Sequence, residues 1–150
     1  MDTFYKAFND LLVHAFHSVL KLEEQMLHDL KNYGISIGEI HLIEVVGKSD
    51  CEGISVSQLA RELSLTLPSI TVAVKKLEKK EFLKKEKNPK DGRNVLITLT
   101  PLGEKIDRVH RHFHEQMVLQ VTKEISTEEK ALLLKTMEKL NCFFDRKLLH

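Results

Sequence analysis

No stretch of this 150-residue chain approaches the roughly 18 consecutive apolar residues of a transmembrane helix. The start, Met1-Asp2-Thr3-Phe4-Tyr5-Lys6, lacks the basic opening and apolar run of a secretory signal. Both absences point to the cytoplasm. Cysteine is scarce, and Cys51 and Cys142 lie far apart without a partner motif, which fits reduced thiols better than a disulfide framework. There is no Gly-rich phosphate loop and no nucleophile motif, and His110-x-x-x-His114 lacks the Glu that follows the first His in a zinc protease. An enzyme is therefore not expected. An excess of charge of one sign is missing too: 23 Lys and Arg against 22 Asp and Glu leave +1.

That near-neutral total conceals an uneven distribution. From Lys75 to Arg93 stand nine basic residues against four acidic ones, a local excess of five, so the remainder of the chain is acidic. A basic island on an acidic body is an oriented footprint, suited to placing one face against phosphates. With 42% hydrophobic content, 150 residues suffice for one domain with a full core.

Helical periodicity dominates the chain. Phe4, Phe8, Leu11, Leu12, Ala15, Phe16, Val19, Leu22 and Met26 form a helical stripe from about Thr3 to Lys31, ending near Asn32-Tyr33-Gly34. A helix of that length cannot bury so broad a stripe on a small domain alone, and a partner must cover it. Ser36 with Glu39 makes a capping box for a second helix whose buried positions are Ile40, Ile43 and Val46. Ser55-x-x-Gln58 opens a short helix, Val56 to Leu63, with Leu59, Ala60 and Leu63 inward.

After the turn Ser64-Leu65-Thr66, Thr66 is an N-cap and Pro68 falls in the first turn of the next helix, where a missing N–H costs little. Leu67, Ile70, Ala73, Val74 and Leu77 make its apolar face. Pro68, Val72, Lys75, Lys76 and Lys79 lie opposite, with Ser69 and Thr71 at the margins. The alternation Val95, Ile97, Leu99 and the turn Pro89 to Gly92 then mark a β-hairpin whose tip carries Lys87, Lys90 and Arg93. Thr100-Pro101 starts a long helix to about Ile125, and Ser126-x-x-Glu129 caps a last helix ending near Leu149, with Leu133, Met137, Leu140 and Phe144 at helical spacing. The expected fold is mainly α with a small β-wing: a winged helix-turn-helix of about six helices and a hairpin that meets duplex DNA.

This order of elements, with Asp91-x-Arg93 in the wing followed by Leu99-Thr100, resembles the MarR family of dimeric transcriptional regulators over nearly the whole chain. The resemblance implies one domain over 1–150, with dimerisation helices in 1–35 and 100–150 and a DNA-binding lobe in 36–99. It also implies that Arg93 reads a minor groove and that Asp91 orients it. Thr66, Pro68, Ser69, Thr71, Val72, Lys75, Lys76, Lys79, Lys87, Lys90, Asp91 and Arg93 make up the expected DNA contact set. A twofold dimer sets two recognition helices about 34 Å apart, so the expected operator is palindromic, and the resemblance implies that the protein is a repressor.

Segments 39–48 and 110–118 are similar to the regulators of bacterial fatty-acid synthesis genes within that family. This similarity implies an acyl chain carried on acyl carrier protein as effector, with Phe16, Val19, Leu42 and Phe113 as candidate pocket residues. A zinc-responsive repressor of metal uptake genes is the alternative. His110 and His114, four residues apart, share a helix face, and Glu23 and His41 match the remaining ligand positions of the family's zinc sensors.

Overall fold

The computed structural model describes residues 2–49 and 52–148; Cys51 and Leu149, named above, lie outside them. The described elements are helices α1 (Thr3–Asp29), α2 (Ile37–Lys48), α3 (Val56–Glu62) and α4 (Leu67–Lys79), strands β1 (Leu83–Lys87) and β2 (Val95–Leu99), and helices α5 (Pro101–Val121) and α6 (Thr127–Leu148). The chain divides into two compact units, Met1–His41 and Leu42–His150. No helix among the described residues is long and apolar enough to cross a membrane.

The expected caps set the helix starts. Ser36 and Glu39 bond reciprocally, Glu39 Oε2 accepting from Ser36 N at 2.9 Å and Ser36 Oγ from Glu39 N at 3.3 Å. Ser55 with Gln58 and Ser126 with Glu129 make the same box. Each box satisfies two backbone donors that a helix start would otherwise leave unpaired. The helix ends fall slightly inside the expected limits. A single 3₁₀ turn at Lys31–Tyr33 follows α1 and closes on Gly34 at φ 58°, a left-handed backbone that glycine adopts without strain. α5 stops at Val121, where the Thr122 hydroxyl turns back to donate to the Val118 carbonyl at 2.8 Å.

In the unit from Leu42 onward, Ile43, Leu59, Ile70, Leu77 and Ile97 are completely buried. At about 1.5–3 kcal/mol for each large side chain removed from water, such residues hold the helix-turn-helix and hairpin as one body. β1 and β2 pair antiparallel from Leu83 opposite Leu99 to Lys87 opposite Val95, and Ile54 adds one bridge to Ile97.

The hairpin joins α5 through Thr100, whose amide donates to the Phe82 carbonyl at 3.1 Å and whose hydroxyl donates to the Glu81 carbonyl at 2.5 Å. That hydroxyl oxygen also accepts from Gly103 N at 3.1 Å. Gly103 is forced by packing, since a Cβ there would stand 2.1 Å from the Phe82 carbonyl oxygen.

Two expectations about apolar faces need correction. Leu67 is half exposed, because as the first residue of α4 it precedes the buried turns that begin at Ile70. On β2 Leu96 is buried as well as Ile97, while Val95 lies open. The cause is the Gly53 loop: a Cβ at Gly53 would stand 3.2 Å from Leu96 Cβ, so the loop covers the strand face that alternation assigns to solvent. On α6, Leu133, Met137 and Phe144 are exposed, and no described residue of this helix is buried.

Candidate nucleic-acid interface and effector residues

The outer face of α4 is built from its N-terminus. Thr66 Oγ1 accepts from Ser69 N at 3.4 Å and its hydroxyl donates to Ser69 Oγ at 2.8 Å, which leaves the Ser69 proton free to point outward. The Thr71 hydroxyl, by contrast, is spent on the Leu67 carbonyl at 2.8 Å. Pro68, Ser69, Val72, Lys75, Lys76 and Lys79 are exposed and Thr71 is half-buried, as the helical spacing predicts. Leu65, in the turn, and Leu67 join them on the exposed surface; the sequence pattern assigns Leu67 inward, because leucine in a helical stripe signals core. Exposed apolar side chains of this kind suit thymine methyl groups.

In the wing, Asn88 N donates to the Asn94 carbonyl at 2.9 Å and closes the hairpin. Asp91 shapes its tip, Oδ1 accepting from Arg93 N at 3.1 Å and Oδ2 from the Asn94 amide at 2.9 Å. Asp91 therefore positions Arg93 through the main chain, not by pairing with its guanidinium.

The basic residues fall into two groups. Lys84 pairs with Glu86 at 2.6 Å, Lys85 with Glu78 at 2.9 Å and Lys90 with Glu52 at 3.1 Å. Lys75, Lys79, Lys87 and Arg93 are exposed and make no ion pair among the described residues. These four present uncompensated charge along α4 and the wing. Surface pairs of the first kind contribute under about 1 kcal/mol.

The candidate effector residues lie in both units. In the first, Glu23 is buried and its Oε1 lies 3.3 Å from His41 Nε2; Val19 is half-buried. Phe16, expected to line an effector pocket, is 61% exposed, because nothing in the 1–41 unit covers that turn of α1. In the second unit Leu42 is buried, and half-buried Phe113 meets the His114 ring edge-on at 5.1 Å.

His110 is 1% exposed. Its Nε2 stands 3.0 Å from His114 Nε2, and its Nδ1 faces Glu44 Oε2 at 3.5 Å. Burial works to raise the Glu44 carboxyl, but its bond to Lys48, the Lys48 charge and the two imidazoles outweigh that and hold it below the usual range. A carboxylate facing Nδ1 while Nε2 faces a second imidazole is the arrangement that orients metal-binding histidines, and a 3.0 Å separation suits two nitrogens about 2.0–2.1 Å from one ion. Sequence spacing paired His110 with His114 but gave no sign of Glu44. The same unit holds a cavity of about 450 Å³ lined by Lys84, Glu104, Asp107 and Arg111 together with Val46 and Leu99, among others.

Comparison with known proteins fits this geometry. The MarR family profile matches residues 35–95. The HTH-type transcriptional regulator BilQ of Clostridium symbiosum is 31% identical over 113 residues, covering 75% of this chain and 76% of its own. The transcriptional regulator AdcR of Streptococcus pneumoniae is 25% identical over 130 residues, covering 81% and 87%. Among solved structures, Streptococcus pneumoniae FabT in complex with DNA superposes with a TM-score of 0.86 at 34% identity, covering 95% of this chain and 98% of that one. A MarR/EmrR family regulator from Acinetobacter sp. ADP1 shares the fold, with a TM-score of 0.69 at 24% identity over 97% and 99%.

Proposed function

The chain belongs to the MarR family, and from that premise we propose that it is a dimeric repressor of fatty-acid synthesis genes whose hold on DNA is set by acyl-acyl carrier protein. As a member of that family it is a DNA-binding transcriptional regulator and not an enzyme. The observation that carries the DNA half is the exposed run of Lys75, Lys79, Lys87 and Arg93 along one helix and its wing, free of internal ion pairs among the described residues. Supporting the dimer are the apolar residues left open on the long helices, Phe4, Phe8, Leu11 and Leu12 on α1 and Leu132, Leu133, Met137 and Phe144 on α6. Patches of this kind on a soluble chain mark a contact with another chain.

The effector assignment rests on the similarity of segments 39–48 and 110–118 to the fatty-acid regulators. Half-buried Phe113 offers apolar surface in one unit, where Leu42 is buried, and Phe16 and Val19 offer it in the other. Burial of an acyl chain releases about 0.8 kcal/mol per methylene, so the shift in DNA affinity scales with chain length. Acyl carrier protein bearing progressively longer chains is expected to change operator affinity stepwise, and a strong chelator to leave that change intact. Equal responses to short and long chains would contradict the assignment.

A second reading, a zinc-responsive repressor, follows from the 3.0 Å approach of His110 and His114 in one unit. Its pattern is the inverse. Zinc alone changes DNA affinity, chelation abolishes the change, and His110→Ala or His114→Ala removes it while acyl chains have no effect.

A further inference from the structure

Lys90 at the wing tip is the one residue of the expected DNA contact set that the described ion pairs show tied to a carboxylate distant in sequence. Its Nζ lies 3.1 Å from Glu52 Oε1 and 3.2 Å from Glu52 Oε2, across 38 residues of chain. The placement of Glu52 is built in. The next residue, Gly53, has φ 96°, where other residues are strained, and a Cβ there would meet the Ile97 carbonyl oxygen at 2.7 Å. Ile54 then locks the loop to β2 through paired bonds with Ile97, Ile54 N donating to the Ile97 carbonyl at 3.0 Å and Ile97 N to the Ile54 carbonyl at 2.8 Å. The carboxylate is thereby held beside the hairpin by backbone geometry, while both side chains remain largely exposed, 75% for Lys90 and 49% for Glu52.

We propose that Glu52 is a positioning residue for the wing, an internal substitute for a DNA phosphate that occupies Lys90 in the free protein and must yield it when DNA binds. The proposal rests on the wing contacting DNA. Unbound, the pair keeps Lys90 folded toward the loop and withholds one cation from the sequence-independent attraction. In the complex Glu52 stays near the phosphate that displaced it, and its negative charge offsets part of the neutralisation Lys90 brings. A phosphate contact made by a fully available lysine contributes about 0.9 to the salt slope. A pair that enters the interface together contributes much less.

Glu52→Gln keeps the shape of the side chain and removes the competing charge. Expected is a several-fold rise in affinity for both operator and unrelated duplex at low salt, with log K falling more steeply against log salt by up to about 0.9 per protomer. Removing an acidic charge anywhere near DNA raises affinity somewhat, so the deciding comparison is made in a second background. If Glu52 acts through Lys90, the gain in affinity and slope from Glu52→Gln is clearly smaller once Lys90→Gln is present, only the direct effect of the lost charge remaining. A gain of equal size in both backgrounds, or no gain in the first, overturns the proposal. Failure of the unsubstituted protein to bind duplex DNA would instead strike the function on which it rests.

Discussion

Between about 50 and 200 mM salt the affinity of this protein for its operator is expected to fall by about 10³ to 10⁵-fold, the response of a dimer making on the order of 6 to 10 phosphate contacts. The expectation follows from Lys75, Lys79, Lys87 and Arg93, which are exposed and make no ion pair among the described residues. Lys75→Ala and Lys79→Ala should each weaken binding to every duplex sequence and lower the slope by about 0.9 per protomer, since a phosphate contact carries no base information. The affinity of Lys85→Ala should change less, because that ammonium is already engaged by Glu78 at 2.9 Å. Titrations at four or five salt concentrations provide the slopes. Unchanged slopes for both Lys75 and Lys79 variants would remove α4 from the interface.

Arg93→Ala is expected to cost about 1 to 3 kcal/mol of operator binding, roughly five- to 150-fold, by deleting a groove contact. The guanidinium makes no ion pair among the described residues, and the wing turn depends on the Arg93 amide, which alanine keeps. Thermal stability and the dimer should therefore be unaffected. Asp91→Ala acts differently: it removes the acceptor for both Arg93 N and the Asn94 amide, loosens the turn and weakens binding by misplacing Arg93. Wild-type affinity in Arg93→Ala would withdraw the wing from the groove.

Local chemistry made much of the fold legible in the sequence. Ser36, Ser55, Thr66, Thr100 and Ser126 each cap the helix that follows them, because a capping side chain needs only backbone donors two or three residues away. The helix stripe placed Ile70, Val74 and Leu77 inside for the same reason. What failed depended on distant chain. Leu96 is buried by the Gly53 loop, Phe16 is exposed where an enclosed pocket was expected, and Lys90 is held by a residue 38 positions away. Charge counting showed the basic island but not which lysines were already neutralised. Likewise the His110–His114 spacing was visible, whereas Glu44 on α2 became part of the group only once the chain folded.

The central claim is that two copies of α4 and the wing read two half-sites on one face of DNA. Selection from a pool of random duplexes, followed by hydroxyl-radical footprinting of the enriched sequence, tests it most directly. The account predicts an inverted repeat with half-sites centred about one helical turn, roughly 34 Å, apart, with symmetric protection that the Arg93→Ala protein loses at its outer edges. Enrichment of a single asymmetric site, or of no sequence at all, would contradict it.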